Sequence, residues 1–495
     1  MNRIRDGKPV ALAILGVALV AAILLAIHGR APWYDEFYTY YVTRPGTGFG
    51  MVWPAWMRDN HPPLFYFAAW ATNWLGPAMA DRRLLNLGFF AGAVAALCLI
   101  GRARPDLRGL LFAYAVALAG YQPMIERVAE LRSNFLAYAA GAVAVAALTA
   151  FAAPFRVAPS RKAAAGLTVT LAVAFFVHLS ATLILGAVAA AFGLRLILAR
   201  DWQGALRLAG IGLAAAIPFV ATMAFQAATI AGNTRTFWIP AGFDAARWAI
   251  ELETIANLTA NWPLTLAGLA GLALLAAQVL SQRRLSPEAS LVLTLAGGLA
   301  LAAGLLIAVH LQRPFVIGRY LVCLHPPIAM ILATGVAALA GRLGRKAGML
   351  LDVALVAGAL LAIHGHLRDV LARAGWDGTA SAIARLASAC PGTKIYADTY
   401  WNQPTLNLPP ADNRAVMPFA YAWVARDHGF ALAPASSHAL AAACPTVFWT
   451  EHVPGQATDA RTIRDALRHR GFPVTEGHLR RIGDGWIFVA PPHGG

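Results

Sequence analysis

Apolar runs of about 20 residues recur through the first three quarters of this chain and are separated by short polar connections. A helix of about 20 residues crosses the ~30 Å hydrocarbon core of a membrane. The pattern therefore predicts about eleven membrane-spanning helices. The predicted spans cover residues 10–27, 84–101, 109–122, 134–152, 163–180, 181–199, 208–230, 263–280, 288–310, 316–340 and 347–364.

The composition agrees with this pattern. Of the 495 residues, 59% are hydrophobic and 13% are charged, whereas about 25% of the residues in an ordinary soluble domain are charged. The mean hydropathy is +0.58. These values exclude a soluble globular protein and indicate one large membrane domain over residues 1–364.

The formal charge of +16 comes from 40 basic and 24 acidic residues. No basic cluster interleaved with aromatic residues is present, so nucleic-acid binding is set aside. The basic residues instead occupy alternate connections between spans, as expected for cytoplasmic loops. The N-terminus is therefore predicted to be cytoplasmic, and the odd number of spans puts the chain after residue 364 outside. The basic groups are Arg3, Arg5 and Lys8, then Arg102, Arg104 and Arg108, then Arg156, Arg161 and Lys162, then Arg195, Arg200 and Arg207, then Arg283 and Arg284, then Arg342, Arg345 and Lys346.

The first outer loop is predicted over residues 28–82 and is rich in aromatic and acidic side chains. The span before it is too long for the apolar core of a signal peptide, and no clear cleavage site follows it. Within the loop, Leu64–Leu75 is apolar but shorter than a span. It contains Trp and Tyr, which favour the membrane interface. We predict a helix there that lies on the membrane surface.

Residues 365–495 have the composition of a soluble domain, and their apolar pattern predicts a small external α/β fold. The predicted helices are Thr379–Ser388 and Asp459–Arg468. The predicted strands are Lys394–Ala397, Thr446–Thr450 and Gly485–Ala490. Cys390 and Cys444 each stand in an Ala-Cys-Pro triplet just before a predicted strand. Because disulfides persist outside the cytoplasm, the two cysteines are a candidate pair, with two unpaired thiols as the alternative.

Polar side chains in the outer connections are candidates for chemistry, because ionisable groups beside a membrane usually mark a reaction or substrate site. Asp35 and Glu36 follow the first span, where paired carboxylates with raised pKa values could provide a general base. The alternative is a pair of acids in the first turn of a surface helix. His61 could orient a carboxylate, contact phosphate or bind a metal ion, and the alternative is an interfacial residue before a proline turn. A lone histidine does not define a metal site, so no metal ligand is assigned.

Arginines form the remaining candidate groups. Glu130 and Arg132 lead into a span, and Arg319 and Tyr320 lie at the outer end of a later one. The planar donor fork of arginine fits a phosphate group. The structural alternatives are local ion pairs around Arg132 and an arginine at position 319 that extends to the membrane surface. Because arginines at membrane depth usually face a polar cavity, function is favoured for Arg319.

In their order and predicted side of the membrane, these motifs resemble the polytopic glycosyltransferases of the GT-C class. The motifs are Asp35-Glu36, His61-Pro-Pro-Leu before an aromatic helix, Arg82-Arg83-Leu, Glu130-Leu-Arg132 and Arg319-Tyr320-Leu321. The similarity is greatest to the bacterial group related to dolichyl-phosphate-mannose protein mannosyltransferases, glycosyltransferase family 39. This group includes the aminoarabinose transferases of lipid A.

The resemblance implies a GT-C fold and a hexosyl- or pentosyltransferase of the inner membrane that takes part in cell envelope glycosylation. Its members move a sugar, with inversion, from a polyprenyl-phosphate donor to a lipid, glycan or protein acceptor at the outer face. The resemblance implies that Asp35, with Glu36 beside it, takes the proton from the acceptor hydroxyl. Arg132 and Arg319 would stabilise the leaving phosphate. The residues matched to donor or substrate binding are His61, Arg82, Arg83, Glu130, Arg132, Arg319 and Tyr320.

Two departures from the family pattern limit what is carried over. Asn134 stands where many relatives have an aromatic residue, and Asn60-His61 stands where some relatives have Glu-Lys. The second difference leaves any metal site of those relatives, and the lipid A acceptor, without support here. No cofactor is therefore assigned, and metal dependence stays open.

Two other protein classes are weighed against the enzyme. A lipid or solute transporter could use the same charged residues as a translocation path. Transporters tend to place charges at the membrane midplane in two matching halves, whereas this chain places them at one face. A receptor or scaffold would explain the C-terminal domain but leaves the outer-loop motifs without a role.

Overall fold

In the computed structural model, the described residues are 8–152, 161–233, 239–398, 412–434, 436–451, 459–483 and 485–493. The predicted basic positions Arg3, Arg5 and Arg156 lie outside them. The chain divides into two compact units. The first comprises Met1–His28 and Pro45–Arg368, and the second comprises Gly29–Arg44 and Asp369–Gly495.

Helices build the first unit, and most are long and apolar, as the sequence pattern predicts. The long helices are α1 Lys8–Gly29, α6 Leu85–Ala103, α7 Arg108–Ala119, α9 Ser133–Ala152, α10 Arg161–Phe175, α11 Leu179–Leu198, α12 Trp202–Asn233, α13 Phe243–Thr259, α14 Trp262–Gln282, α15 Pro287–Gln312, α16 His325–Arg342 and α17 Arg345–Ala372. The short helices are α3 Phe49–Met57, α4 Leu64–Ala71, α5 Met79–Arg83 and α8 Gln122–Val128, with single 3₁₀ turns at Asn73–Leu75, Pro105–Leu107, Gly318–Tyr320 and Val322–Leu324.

Among the described residues, nine helices are long and apolar enough to cross a membrane. They correspond to nine of the eleven predicted spans. The other two predicted spans are also helices, but α7 has 12 residues and α10 has 15. A multi-pass membrane protein is thereby confirmed, and the total of eleven spans stays a prediction.

Close contact between α14 and α16 depends on glycine. A Cβ added at Gly271 would overlap the carbonyl group of Gly335, and one added at Gly335 would overlap the carbonyl group of Gly268. Small residues let helix backbones approach closely, which replaces the hydrophobic driving force that is missing within lipid. An ion pair connects α1 and α17, in which Lys8 Nζ lies 3.9 Å from Asp352 Oδ1.

The segment between the first two spans contains several short helices. The helix predicted over Leu64–Leu75 is present as α4 followed by the 3₁₀ turn Asn73–Leu75, and its position on the membrane surface stays a prediction. A further helix, α2 over Tyr34–Thr43, belongs to the second unit. There Phe37 packs against Trp376 and Tyr40 against Trp423, with ring centroids 5.1 and 4.6 Å apart. These aromatic contacts explain why part of the first loop groups with the C-terminal residues.

A small α/β domain forms the rest of the second unit. The elements are α18 Gly375–Ala389, β1 Lys394–Ala397, α19 Asp412–Asp427, β2 Thr446–Thr450, α20 Ala460–His469, β3 His478–Ile482 and β4 Gly485–Ala490. The sheet has the order β1-β2-β4-β3, with β1 and β2 parallel and the other pairs antiparallel. Its apolar core is formed by Tyr396, Ile463, Leu467, Phe472 and Phe488 together with their neighbours.

The three predicted strands of this domain are confirmed residue for residue, and both predicted helices are present. Strand β3 and helix α19 were not predicted. The sequence of β3, HLRRI, has three polar residues among five and lacks the apolar run of a buried strand, which agrees with its place at the edge of the sheet. Helix α19 contains Pro418, which ordinarily argues against a helix interior.

Cys390 and Cys444 form a disulfide, with their Cα atoms 5.7 Å apart. The predicted pairing is thereby confirmed. The bridge joins the end of α18 to the residues before β2, so it fixes the start of the two parallel strands of the sheet.

Replacing both bridged cysteines by serine should lower the free energy of unfolding of the second unit by about 2–4 kcal/mol, because the bridge closes a loop between positions 54 residues apart. Pulse proteolysis in urea, read on fragments from residues 369–495, measures this loss. The control is Cys98→Ser, because Cys98 is an exposed free thiol. An unchanged midpoint in the double variant would contradict the stabilising role of the bridge.

Candidate active site

The paired acids of the first loop lie in the first turn of α2 and have different surroundings. Glu36 is fully buried, and its Oε2 accepts a hydrogen bond of 2.9 Å from Arg30 Nη1. Asp35 is partly exposed. Because its carboxylate is buried and bonded to Arg30, Glu36 serves a structural ion pair. Asp35 is the more accessible acid of the two.

A connected group of polar side chains lies in the first unit, centred on the turn between α3 and α4. Asp59 Oδ1 lies 3.5 Å from His61 Nδ1, and the Tyr66 hydroxyl donates to Asp59 Oδ2. Arg132 Nη1 in turn donates to the Tyr66 oxygen over 3.3 Å. The motif residues His61 and Arg132, which lie 71 positions apart in the sequence, are thus joined through Asp59 and Tyr66.

Asp59 is the acidic centre of this group. Burial opposes its ionisation, but the hydrogen bond and charge of His61, the charge of Arg132 and the Tyr66 hydroxyl together lower the pKa of Asp59. Its carboxylate is therefore ionised at neutral pH. It can orient His61 and Tyr66, because both groups can donate to it.

Gln226 of α12 holds the turn that carries Asp59 and His61. Its Nε2 donates to the carbonyl oxygens of Trp56, Asp59 and His61 at 3.0, 3.2 and 3.2 Å. The side chain is fully buried. Gln226 thus contacts three backbone carbonyl groups of this turn, and these hydrogen bonds hold the turn in position.

His178 completes the group and was not identified from the sequence. Its ring centroid lies 5.1 Å from that of His61 and 4.7 Å from that of Tyr320. The predicted boundary between two spans fell at residues 180 and 181, whereas α10 ends at Phe175 and α11 begins at Leu179 with His178 as its N-cap. The signal in the sequence was a single histidine in an apolar stretch, which more often marks a core position.

Arg319 and Tyr320 occupy the 3₁₀ turn Gly318–Tyr320 before α16. The Arg319 guanidinium carbon lies 5.3 Å from the centroid of the Tyr320 ring, and the ring centroids of Tyr320 and His61 are 5.9 Å apart. The late motif of the sequence is therefore brought to the same group as His61 and Arg132.

The other matched residues support the backbone around this group. Arg82 Nη2 donates to the Ala69 carbonyl over 2.6 Å, and Arg83 Nη1 donates to the Ile27 carbonyl over 3.0 Å. Both arginines are almost completely buried. Glu130 is fully buried and accepts a 2.6 Å hydrogen bond from Arg127. These contacts give all three motif residues a role in fixing the helix ends.

A groove of about 770 Å³ lies next to the turn that carries Arg319. Its walls are mostly apolar and include Trp248 and Leu252 of α13 and Val316 to Gly318. Glu253 also lines it and accepts a hydrogen bond from the Tyr121 hydroxyl. Burial raises the pKa of Glu253, against the lowering effects of the Tyr121 hydroxyl and the charge of Arg127. The groove can receive an apolar chain close to a polar wall.

Metal binding has no support from the described part of the chain. Among those residues, no group of three or more His, Cys, Asp or Glu side chains is arranged to hold a metal ion. Asp59 and His61 are adjacent but supply two ligands, whereas protein metal sites usually offer three or more.

Asp59 should make a pH-dependent contribution to stability in the ligand-free protein. Its pKa in the folded state is below the ordinary value of 3.8, so its contribution is present above that value and is lost as the pH falls through the folded pKa. Asp59→Asn should destabilise the protein by about 1–2 kcal/mol near pH 6. The difference from the parent should shrink below pH ~3.8.

Thermal unfolding of detergent-solubilised protein at several pH values measures this difference. Asp244→Asn is the control, because the Asp244 side chain is 87% exposed. A difference between parent and Asp59→Asn that is independent of pH would contradict the assignment.

Among known proteins, solved structures are similar to this chain. No family model matches the chain, and no curated protein matches it. Among solved structures, ArnT from Cupriavidus metallidurans bound to undecaprenyl phosphate is similar with a TM-score of 0.57 and 12% identity. The apo state of the same protein is similar with a TM-score of 0.56 and 13% identity. In both cases the match covers 97% of each chain. The chain therefore has the polytopic membrane fold of ArnT, and the fold implied by the GT-C resemblance is confirmed.

Proposed function

We propose that this protein is a membrane glycosyltransferase that moves a sugar from a polyprenyl-phosphate donor to an acceptor hydroxyl. The observation that carries the proposal is the group formed by His61, Arg132 and Tyr320, which gathers three separate family motifs. The match to ArnT, whose structure holds undecaprenyl phosphate, supports the class of donor. The sugar and the acceptor are left open.

The donor phosphate is proposed to bind at this group. Arg132 and Arg319 supply guanidinium groups at this group. Arginine donors can bind two phosphate oxygens at once. The groove beside Gly318 offers apolar walls for the prenyl chain, since it adjoins the turn that carries Arg319.

Transfer is proposed to proceed in one displacement with inversion. Asp35 accepts the proton of the acceptor hydroxyl while that oxygen forms a bond to the anomeric carbon of the sugar. The bond between this carbon and the phosphate oxygen breaks, and polyprenyl phosphate leaves with the electron pair. Negative charge grows on the phosphate during this step, so fixed positive charge from Arg132 and Arg319 favours the transition state. Glu36 is proposed to hold Arg30 beneath the turn that carries Asp35.

An extracytoplasmic location of residues 365–495 is part of the proposal, with the N-terminus in the cytoplasm and the protein in the inner membrane. The Cys390–Cys444 disulfide supports it, because disulfides are rare in the reducing cytoplasm. The basic residues in alternate connections support the same orientation.

The transporter alternative is less well supported by the positions of the polar groups. Asp59 and His61 lie in a turn, Arg132 lies between two helices, His178 caps a helix and Tyr320 lies in a 3₁₀ turn. A translocation path is typically lined by charges within broken spans near the midplane. Polar groups at helix ends fit a reaction site at one membrane face.

Loss of the Arg132 donor fork should weaken binding of the donor lipid. We expect Arg132→Ala to raise the Kd for undecaprenyl phosphate about tenfold or more, and Arg132→Lys to have a smaller effect because charge is kept without the fork. Native mass spectrometry of the purified protein titrated with the lipid measures both. The control is Arg284→Ala, an exposed arginine in the connection after α14. Equal affinity in Arg132→Ala and the parent would count against the phosphate site.

Asp35→Asn should abolish most transfer without loss of donor binding, because the amide cannot accept the proton. Mass spectrometry of lipids, glycans and glycoproteins from a deletion strain first identifies the sugar modification that is lost. Complementation with the parent should restore it, and complementation with Asp35→Asn should leave less than about 1% of it, as expected for loss of a general base. Asp427→Asn, an exposed acid at the end of α19, is the control. Full restoration by Asp35→Asn would remove the base assignment.

A further inference from the structure

We propose that His178 is a further donor-binding residue, whose Nε2–H donates a hydrogen bond to a phosphate oxygen of the polyprenyl-phosphate donor. The inference rests on the proposed function and adds to it a residue that no sequence motif indicated.

The position of His178 fixes which ring nitrogen is available. As the N-cap of α11, His178 accepts the backbone N–H of Ser180 at Nδ1 over 3.3 Å. The Ser180 hydroxyl oxygen lies 2.8 Å from the same nitrogen and also bonds to the Tyr320 carbonyl. A backbone N–H can only donate, so we assign Nδ1 as the acceptor and place the proton of the neutral imidazole on Nε2.

Nε2 has no hydrogen-bond partner among the described residues, and it is buried. The whole side chain is 5% exposed. A buried polar atom without a partner costs about 1–3 kcal/mol, so native proteins retain few of them. A ligand that binds in the candidate site and accepts a hydrogen bond from Nε2–H would explain why this group has no protein partner.

The charges around His178 indicate that this acceptor is an anion. Burial, followed by the charges of His61, Arg132 and Arg319, holds the pKa of His178 well below its ordinary value. Three neighbours of the ring are thus basic groups, and the nearest acid of the group, Asp59, is already engaged by His61 and Tyr66. A neutral donor near the guanidinium groups of Arg132 and Arg319 gains most from a ligand that carries negative charge.

A phosphate diester linked to a sugar meets this requirement in both the ground state and the transition state. Its non-bridging oxygens accept hydrogen bonds before reaction. As the bond to the anomeric carbon breaks, the phosphate gains negative charge and the hydrogen bond from Nε2 becomes stronger. His178 would therefore contribute to binding and to departure of the polyprenyl phosphate without changing its own bonds to Ser180.

Two conservative variants separate a role toward the ligand from a role as a helix cap. In His178→Asn the side-chain oxygen can still accept the Ser180 N–H, since asparagine is a good N-cap, but the donor at the position of Nε2 is lost. In His178→Gln the amide nitrogen reaches about as far as Nε2, while the cap is weakened. A purely structural residue would tolerate Asn better than Gln, and a ligand-binding residue would show the reverse order.

The experiment measures the Kd of undecaprenyl phosphate for the purified full-length protein by native mass spectrometry, with undecaprenol as the probe that lacks phosphate. We expect His178→Asn to raise the Kd about ten- to a hundredfold, as for a hydrogen bond to a charged group. His178→Gln should stay within about threefold of the parent. Binding of undecaprenol should be equal in all three proteins.

The outcomes distinguish this inference from the proposed function. If the parent binds undecaprenyl phosphate no better than undecaprenol, the proposed function fails, and this inference fails with it. If the parent prefers the phosphate and His178→Asn binds it equally well, the donor class stands and the role of His178 is overturned. That role is also overturned if His178→Gln binds as weakly as His178→Asn while both retain the parental unfolding temperature.

Discussion

The candidate site depends on one constraint: backbone carbonyl groups at buried helix ends need hydrogen-bond donors. Burial excludes water from these ends, and an unpaired buried carbonyl group costs free energy. Side chains therefore do so here. Gln226 pairs three carbonyls of one turn, Asn86 pairs those of Val128 and Glu130, and Arg82 pairs that of Ala69. Each of these turns contains a motif residue or contacts one. The hydrogen bonds that pair the backbone carbonyl groups therefore also fix the geometry of the site.

The polar side chains held by these turns form a chain of contacts in which each member limits the next. Arg132 donates to Tyr66, Tyr66 donates to Asp59, and Asp59 lies beside His61. The ionised Asp59 keeps His61 and Tyr66 oriented. Arg132 and Arg319 bring guanidinium groups to the same part of the first unit. The proposed donor phosphate site and the proposed role of His178 both rely on these guanidinium groups.

The second unit is stabilised by different interactions. Its core is aromatic, with Tyr396, Phe448 and Phe472 in mutual contact, and a disulfide ties the start of its parallel strands. Helix α2, although it directly follows the first span, belongs here through Phe37 and Tyr40. Asp35, the acid proposed as the base, therefore belongs to the second unit together with Phe37 and Tyr40.

The sequence by itself determined the membrane class, nearly all the long helices, three of the four strands and the disulfide pair, because hydropathy, strand patterning and the Ala-Cys-Pro context are local signals. It also selected His61, Arg132 and Tyr320, through motif resemblance. Only the tertiary structure decided that these three meet, that Arg82, Arg83 and Glu130 hold backbone and ion pairs, and that His178 belongs with them. The physical reason is that contacts between side chains from separate helices depend on how the helices pack. The sequence around a single histidine in an apolar stretch does not indicate which residues will contact it in the folded protein.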